Sequence, residues 1–301
     1  MIRILLSVTF GAVLALAIGC AALACWGSYQ ATYQFERTRL THGTLAEHLR
    51  LKIAMDAVMR DVLRTKSTFA SNSESGLPLE ILGLRGLLHD YSFLTWFKIL
   101  LALPWVFLFK KFNYELFIAE MGIDSSRPPK NMGYLLEIIT PDIGVFLSVA
   151  PSHTEQFAEE LGLDKDDTDS LLRAIAAEKG KIVTTLNAKS HAVMNVDSPY
   201  MREILPQISA KTITIGLDHP ADFRLRGYEV GARGTSFTFV FAKESYAVEI
   251  PGYILSREYG GIIMSVLATA HVLGVSVAEA VERLQKNFTL PPGRMTLLEG
   301  K

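Results

Sequence analysis

Few groups of residues in this sequence could do chemistry unaided. Asp164-Lys-Asp166-Asp167-Thr-Asp169 has the carboxylate density of a calcium loop. It lacks the glycine for the sharp turn and a glutamate at the last ligand position, so it reads as a solvated helix start. Cys20 and Cys25 lie within one apolar stretch, and no disulfide framework or zinc set can be built from them. Glu120, His153 and Lys179 carry chemically capable side chains. Taken singly, a glutamate after a strand is a solvated strand end, a lone histidine packs, and a lysine in an Ala- and Glu-rich helix is exposed. Polyphosphate chemistry would call for Gly-Lys-Ser/Thr, whose amides cradle phosphates while the lysine reaches the β and γ oxygens. That triplet occurs nowhere in the chain.

The elements that would position these residues are those of an α/β protein. Residues 116–120, 143–149, 192–195 and 212–215 read as short, fully buried strands. Residues 155–186 read as helical, and strands alternating with helices predict a mostly parallel sheet. Residues 223–250 alternate instead and are interrupted by Gly231 and Gly234, which predicts antiparallel hairpins at one sheet edge. Two helices follow, over 260–273 and 275–284, parted at Gly274. Nearer the start, Leu45, Leu49, Ile53, Val58 and Val62 recur at helical spacing.

Residues 4–26 contain no charge. As a helix they would rise about 34 Å, enough for a hydrocarbon core of roughly 30 Å. The stretch reads as an uncleaved transmembrane anchor over residues 1–28. A cleaved signal peptide is the rival reading, since Ala22-Leu23-Ala24 resembles a cleavage site. Arg3 alone precedes the span, whereas Arg37, Arg39, Arg50, Lys52, Arg60, Arg64 and Lys66 follow it. This bias predicts a single-pass protein of the cytoplasmic membrane with residues 29–301 in the cytoplasm. A second apolar stretch, 93–109, is interrupted by Lys98 and Pro104. Three readings stay open for it: a packed helix, a segment lying on the membrane through Trp96, Trp105, Lys110 and Lys111, or a second span. Thirty basic residues against thirty-one acidic ones leave no broad basic field, so nucleic acid is not an expected partner.

A series of motifs in order resembles the central domain of the Mur ligases, and most nearly the branch that adds D-alanyl-D-alanine to a UDP-muramoyl tripeptide. They are Asn72-Ser-Glu-Ser-Gly76-Leu77-Pro78, Phe117-Ile-Ala-Glu120-Met-Gly122, Pro141 to Ala150 followed by His153, Ala177-Glu-Lys179-Gly, Val193-Met-Asn195-Val-Asp197, Ile215-Gly216 and Pro292-Gly293-Arg294-Met295. The likeness runs from about Gly43 to Gly300. It implies a sheet of the P-loop NTPase type, flanked by helices, and an ATP-dependent carboxylate–amine ligase of peptidoglycan precursor synthesis. Such an enzyme phosphorylates a carboxylate of a UDP-muramoyl peptide, and an amine then displaces the phosphate. ATP and magnesium are the cofactors the resemblance implies. By position, Glu120 and His153 would hold magnesium, and Lys179 matches the lysine that is carbamylated to become a metal ligand. Gly43, Thr44, Asn72, Asn195, Asp197 and Arg294 would fall near the nucleotide.

The likeness fails at the phosphate-gripping loop. Gly43-Thr44-Leu45-Ala46-Glu47-His48 stands where the family has Gly-Ser/Thr-x-Gly-Lys-Thr/Ser. Glu47 in place of lysine changes a contact with polyphosphate at about 4 Å in water from roughly −1 to +1 kcal/mol, and by more at a partly buried site. Ser256-Arg257-Glu258-Tyr259 replaces the family's Gly-x-His-Asn, and the chain reads as lacking the C-terminal ligase domain that the resemblance implies after Arg294. The chain therefore reads as catalytically incomplete. The alternatives are a non-catalytic, membrane-tethered binding or scaffold protein, or one part of a split or decaying ligase whose C-terminal domain comes from a separate chain.

Overall fold

A computed structural model describes residues 44–68, 73–87, 92–109 and 113–290. In chain order they form α1 (Thr44–Met59), β1 (Thr65–Ser67), α2 (Gly76–Leu82), a 3-10 turn (Arg85–Leu87) and α3 (Phe93–Phe109). There follow β2 (Leu116–Ile118), α4 (Met132–Ile138), β3 (Ile143–Phe146), α5 (Thr154–Leu161), α6 (Thr168–Thr184) and β4 (His191–Asn195). The remainder is α7 (Pro199–Ile204), a 3-10 turn (Leu205–Gln207), β5 (Lys211–Gly216), β6 (Phe223–Gly231), β7 (Gly234–Phe241), β8 (Glu244–Pro251), α8 (Glu258–Val272) and α9 (Val277–Asn287). The described residues fall into two compact units: 78–87 with 92–109, and 44–68 and 73–77 with 113–290.

The larger unit is built on a six-stranded sheet in the order β3-β4-β5-β6-β7-β8. Strands β3 to β6 pair in parallel, and β6, β7 and β8 pair antiparallel. This is the expected parallel sheet with an antiparallel edge. The two-residue period of β4 shows why helices must cover both faces. Val193 joins a core with Met55 and Val58 of α1, Ile263 and Leu267 of α8, and Leu284 of α9. Its neighbours Ala192 and Met194 join a core with Ala176 and Val183 of α6 and Met201 and Ile204 of α7. Helix α8 is buried at every position from Tyr259 to Ala270, which explains why its sequence is apolar all round rather than striped. The β6–β7 turn needs its glycine. Gly234 has φ +131°, and a Cβ there would stand 2.4 Å from the Ile250 carbonyl oxygen.

Most boundaries fall within three residues of the reading, and three elements differ from it in number, length or burial. The helix read over 155–186 is two helices, because Gly162 ends α5 in the left-handed conformation, φ 67°. Asp167 then restarts the chain as the N-cap of α6, accepting from the Ser170 amide at 3.1 Å. The acidic run is a helix start, as read. Strand β3 stops at Phe146 rather than Val149. Strand β2 is three residues long and half-buried, not fully buried, because it pairs with β1 alone in a separate two-stranded parallel sheet.

In the smaller unit, Ile99 and Leu103 of α3 pack on Leu79 and Leu84. Phe93, Leu94, Leu101, Trp105 and Leu108 of α3 are each more than 60% exposed. Among the described residues no helix is long and apolar enough to cross a membrane. The anchor read over residues 1–28 lies outside the described residues.

Candidate functional site

Parallel pairing of β1 and β2 aligns Ser67 with Ile118, so both strands end together, at the place where open α/β sheets bind ligands. Thr68 and Glu120 follow these ends. The Thr68 amide donates to the Ile118 carbonyl at 2.9 Å, and the Glu120 amide donates to Thr68 Oγ1 at 3.1 Å. The Lys52 ammonium reaches this corner from α1. Its Nζ donates to the Thr68 carbonyl at 2.8 Å and to Glu120 Oε2 at 2.5 Å. The two charged side chains are only 11% and 6% exposed. Removing either partner of such a pair leaves a buried charge uncompensated, at a cost of about 3–5 kcal/mol.

A second group lies around the start of α5. His153 has φ 58° at the N-cap position, and its Nε2 stands 3.4 Å from Asp124 Oδ1, both side chains nearly half exposed. Lys179 of α6 donates to Ser152 Oγ at 3.5 Å. His153 and Lys179 thus meet the same turn, 152–153. One residue before Lys179, the buried Glu178 accepts from the Met132 and Gly133 amides that open α4, and from Lys181 Nζ at 2.6 Å. A cavity of about 700 Å³ is lined by Arg127, His153, Glu155, Gln156, Glu159, Glu160 and Lys165. Burial of Glu160 disfavours its charge, but donors from Ser125, Ser126 and Gln156 outweigh this and hold its carboxyl at about 2.

A third group joins the ends of β4 and β5. The Asp197 amide donates to Asn195 Oδ1 at 2.8 Å. The Asp197 carboxylate accepts from the Leu217, Asp218 and His219 amides at 2.8, 2.9 and 2.9 Å. Arg202 Nη1 donates to the carbonyls of Val196 and Asp197. Arg257 clasps Asp218 through two bonds, 2.8 and 2.7 Å, and its hydrogen bond holds the Asp218 carboxyl below the usual range. Beside this clasp, Arg224, Arg226, Gly227 and Tyr228 line a cavity of about 410 Å³.

A family profile described as the Mur ligase middle domain matches residues 101–253, half of the chain. The chain belongs to the Mur ligase family. A UDP-N-acetylmuramoyl-L-alanyl-D-glutamate–2,6-diaminopimelate ligase of Chlamydia pneumoniae is 26% identical over 136 residues, 44% of this chain and 27% of that protein. A UDP-N-acetylmuramate–L-alanine ligase of Anaeromyxobacter sp. (strain Fw109-5) is 23% identical over 158 residues, 50% of this chain and 32% of that protein. The fold is similar to that of the MurF ligase of Thermotoga maritima solved in complex with ADP. That match has a TM-score of 0.58 and 19% identity over 84% of this chain and 49% of the other. MurF of Acinetobacter baumannii gives 0.55 and 15% identity over 83% and 46%. The chain thus spans about half the length of these solved ligases and a third or less of the curated relatives.

In this Mur ligase middle domain the candidate residues fall into the three groups just described. Thr44 is the first residue of α1, while Gly43, Asn72 and Arg294 lie outside the described residues. Among the described residues no group of three or more His, Cys, Asp or Glu side chains could hold a metal ion. With Glu120 matched by an ammonium, the described residues as arranged do not form a cage for a divalent ion. Sequence reasoning missed Lys52, Glu178 and the role of Asp124. Lys52 had a signal: it stands three residues after Leu49 and beside Ile53 in α1, and a lysine among apolar neighbours needs a buried partner.

Proposed function

We propose that this Mur ligase middle domain does not run acyl-phosphate chemistry as a single chain. Instead it serves as a membrane-tethered binding module for a UDP-muramoyl peptide or its relatives. The observation that carries this reading is Glu47, an acidic residue in the first turn of α1, at the position where the resemblance puts the family's phosphate-binding lysine. An anion there repels triphosphate oxygens, and no P-loop triplet elsewhere in the sequence substitutes for it. ATP and magnesium are the family's cofactors, and on this reading ATP is not held in the family's way.

Membrane attachment is part of the proposal. It draws support from the uncharged residues 4–26 and from α3. At 17 residues, α3 extends about 25 Å, short of the roughly 30 Å hydrocarbon core. Its exposed Phe93, Leu101, Trp105 and Leu108, with Lys98 and the following Lys110-Lys111, suit a helix lying in the interface of the cytoplasmic membrane. Calorimetric titration of the full chain with ATP and magnesium tests the central point. The expected result is no binding tighter than millimolar, and a micromolar dissociation constant overturns the proposal.

A further inference from the structure

We infer that Lys52 is the resident cation of Glu120: its ammonium sits where a divalent ion would otherwise engage this carboxylate. The inference rests on the reading that Glu120 stands at the family's metal position, and it departs from the family by giving that position a cation from the chain itself. A carboxylate only 6% exposed is costly to bury without a partner. Glu120 has one at 2.5 Å, and Lys52 is steered onto it by a second acceptor, the Thr68 carbonyl, at 2.8 Å. Those acceptors, a carboxylate oxygen and a backbone carbonyl, are hard oxygen ligands of the kind magnesium and manganese take. The ammonium satisfies both with one positive charge. An arriving ion would have to displace a donor bonded to both.

Lys52 is not a displaced loop lysine. On a helix it lies five residues past Glu47, about 140° round the axis and about 7.5 Å along it. Its amine is turned to the ends of β1 and β2, where it holds α1 against both strands. The lysine thus closes the corner instead of gripping a phosphate. Removing the lysine side chain should then open a cation site that the wild-type protein does not offer.

The test is manganese binding to the full chain in mild detergent, followed by electron paramagnetic resonance of free Mn²⁺. Wild type, Lys52→Ala, Lys52→Gln, Glu120→Gln and the double variant Lys52→Ala/Glu120→Gln are compared. Wild type and Glu120→Gln should bind Mn²⁺ equally weakly. Both Lys52 variants should gain at least tenfold in affinity, and the double variant should lose that gain. Wild-type binding that Glu120→Gln abolishes overturns the inference, as does the absence of any gain in a folded Lys52 variant. If neither Lys52 variant folds, the comparison of wild type with Glu120→Gln still decides. ATP titrations of the same proteins keep the two readings apart. Glu120-dependent Mn²⁺ binding by wild type without ATP binding sinks the inference alone. Micromolar ATP binding that is kept in Lys52→Ala sinks the proposed function alone. Micromolar ATP binding that is lost in Lys52→Ala assigns Lys52 to a phosphate and overturns both.

Discussion

Asp197 has two competing roles that a substitution separates: a neighbour of nucleotide, or the clasp of the loop after β5. Its carboxylate accepts three backbone amides, from Leu217, Asp218 and His219, at 2.8 to 2.9 Å. Hydrogen bonds to a charged acceptor each contribute about 1.5–3 kcal/mol. Three would sum to more than is expected here, because the side chain is half-buried and water can reach the freed amides. Asp197→Ala should therefore destabilise by about 2–4 kcal/mol. Asp197→Asn can keep the Asp218 and His219 bonds on its amide oxygen, but it turns a donor toward the Leu217 amide, so about 1.5–3 kcal/mol is expected. Against a typical stability of about 5–15 kcal/mol the variants remain folded. Urea unfolding should show a lower midpoint at unchanged slope, and amide exchange should speed up at 217–219. Asp197→Ala within about 0.5 kcal/mol of wild type, with exchange at 217–219 unchanged, would refute the clasp and return Asp197 to a ligand role.

Gly144 in β3 faces α6 so closely that a Cβ would stand 2.4 Å from the Ile182 carbonyl oxygen. Gly144→Ala should destabilise by about 1–3 kcal/mol, read from urea midpoints. Glu160 has a carboxyl lowered from 4.5 to about 2, so its contribution is complete above pH 4.5 and fades as pH falls toward 2. The stability gap between wild type and Glu160→Gln should narrow over that window, and a gap independent of pH would contradict the cradle of Ser125 and Ser126. Trp105→Glu with Leu101→Glu should weaken co-flotation of the chain with anionic liposomes at least tenfold if residues 4–26 are first removed. Unchanged flotation would exclude α3 as a lipid contact.

The sheet was legible where its physics is local. The apolar run of β4, the alternation over 223–250 and the glycines at 231 and 234 specify strands and hairpin turns over a few residues. Boundaries set by capping were less so. Gly162 stops α5 only because its backbone is left-handed, a state that helical periodicity does not reveal. Strand β2 is recognisable from its residues, but its half-burial is not, because its isolation with β1 depends on which strands pair. The candidate site residues can be picked out by type and order, through likeness to the family. The partners of those residues are not: Leu49 and Ile53 flag Lys52 as a buried lysine, but its partner Glu120 lies 68 positions on, and nothing in the spacing names it. Likewise Asp197 reads as a motif in the chain but acts through three amides some twenty residues on.

The most direct measurement is nucleotide affinity of wild type beside Glu47→Lys. Restoring a cation at the loop changes a contact at about 4 Å by about 2 kcal/mol in water, or roughly 25-fold in affinity. We predict ATP–magnesium binding no tighter than millimolar in wild type and at least tenfold tighter in Glu47→Lys. Micromolar binding by wild type, unimproved by Glu47→Lys, would contradict the account.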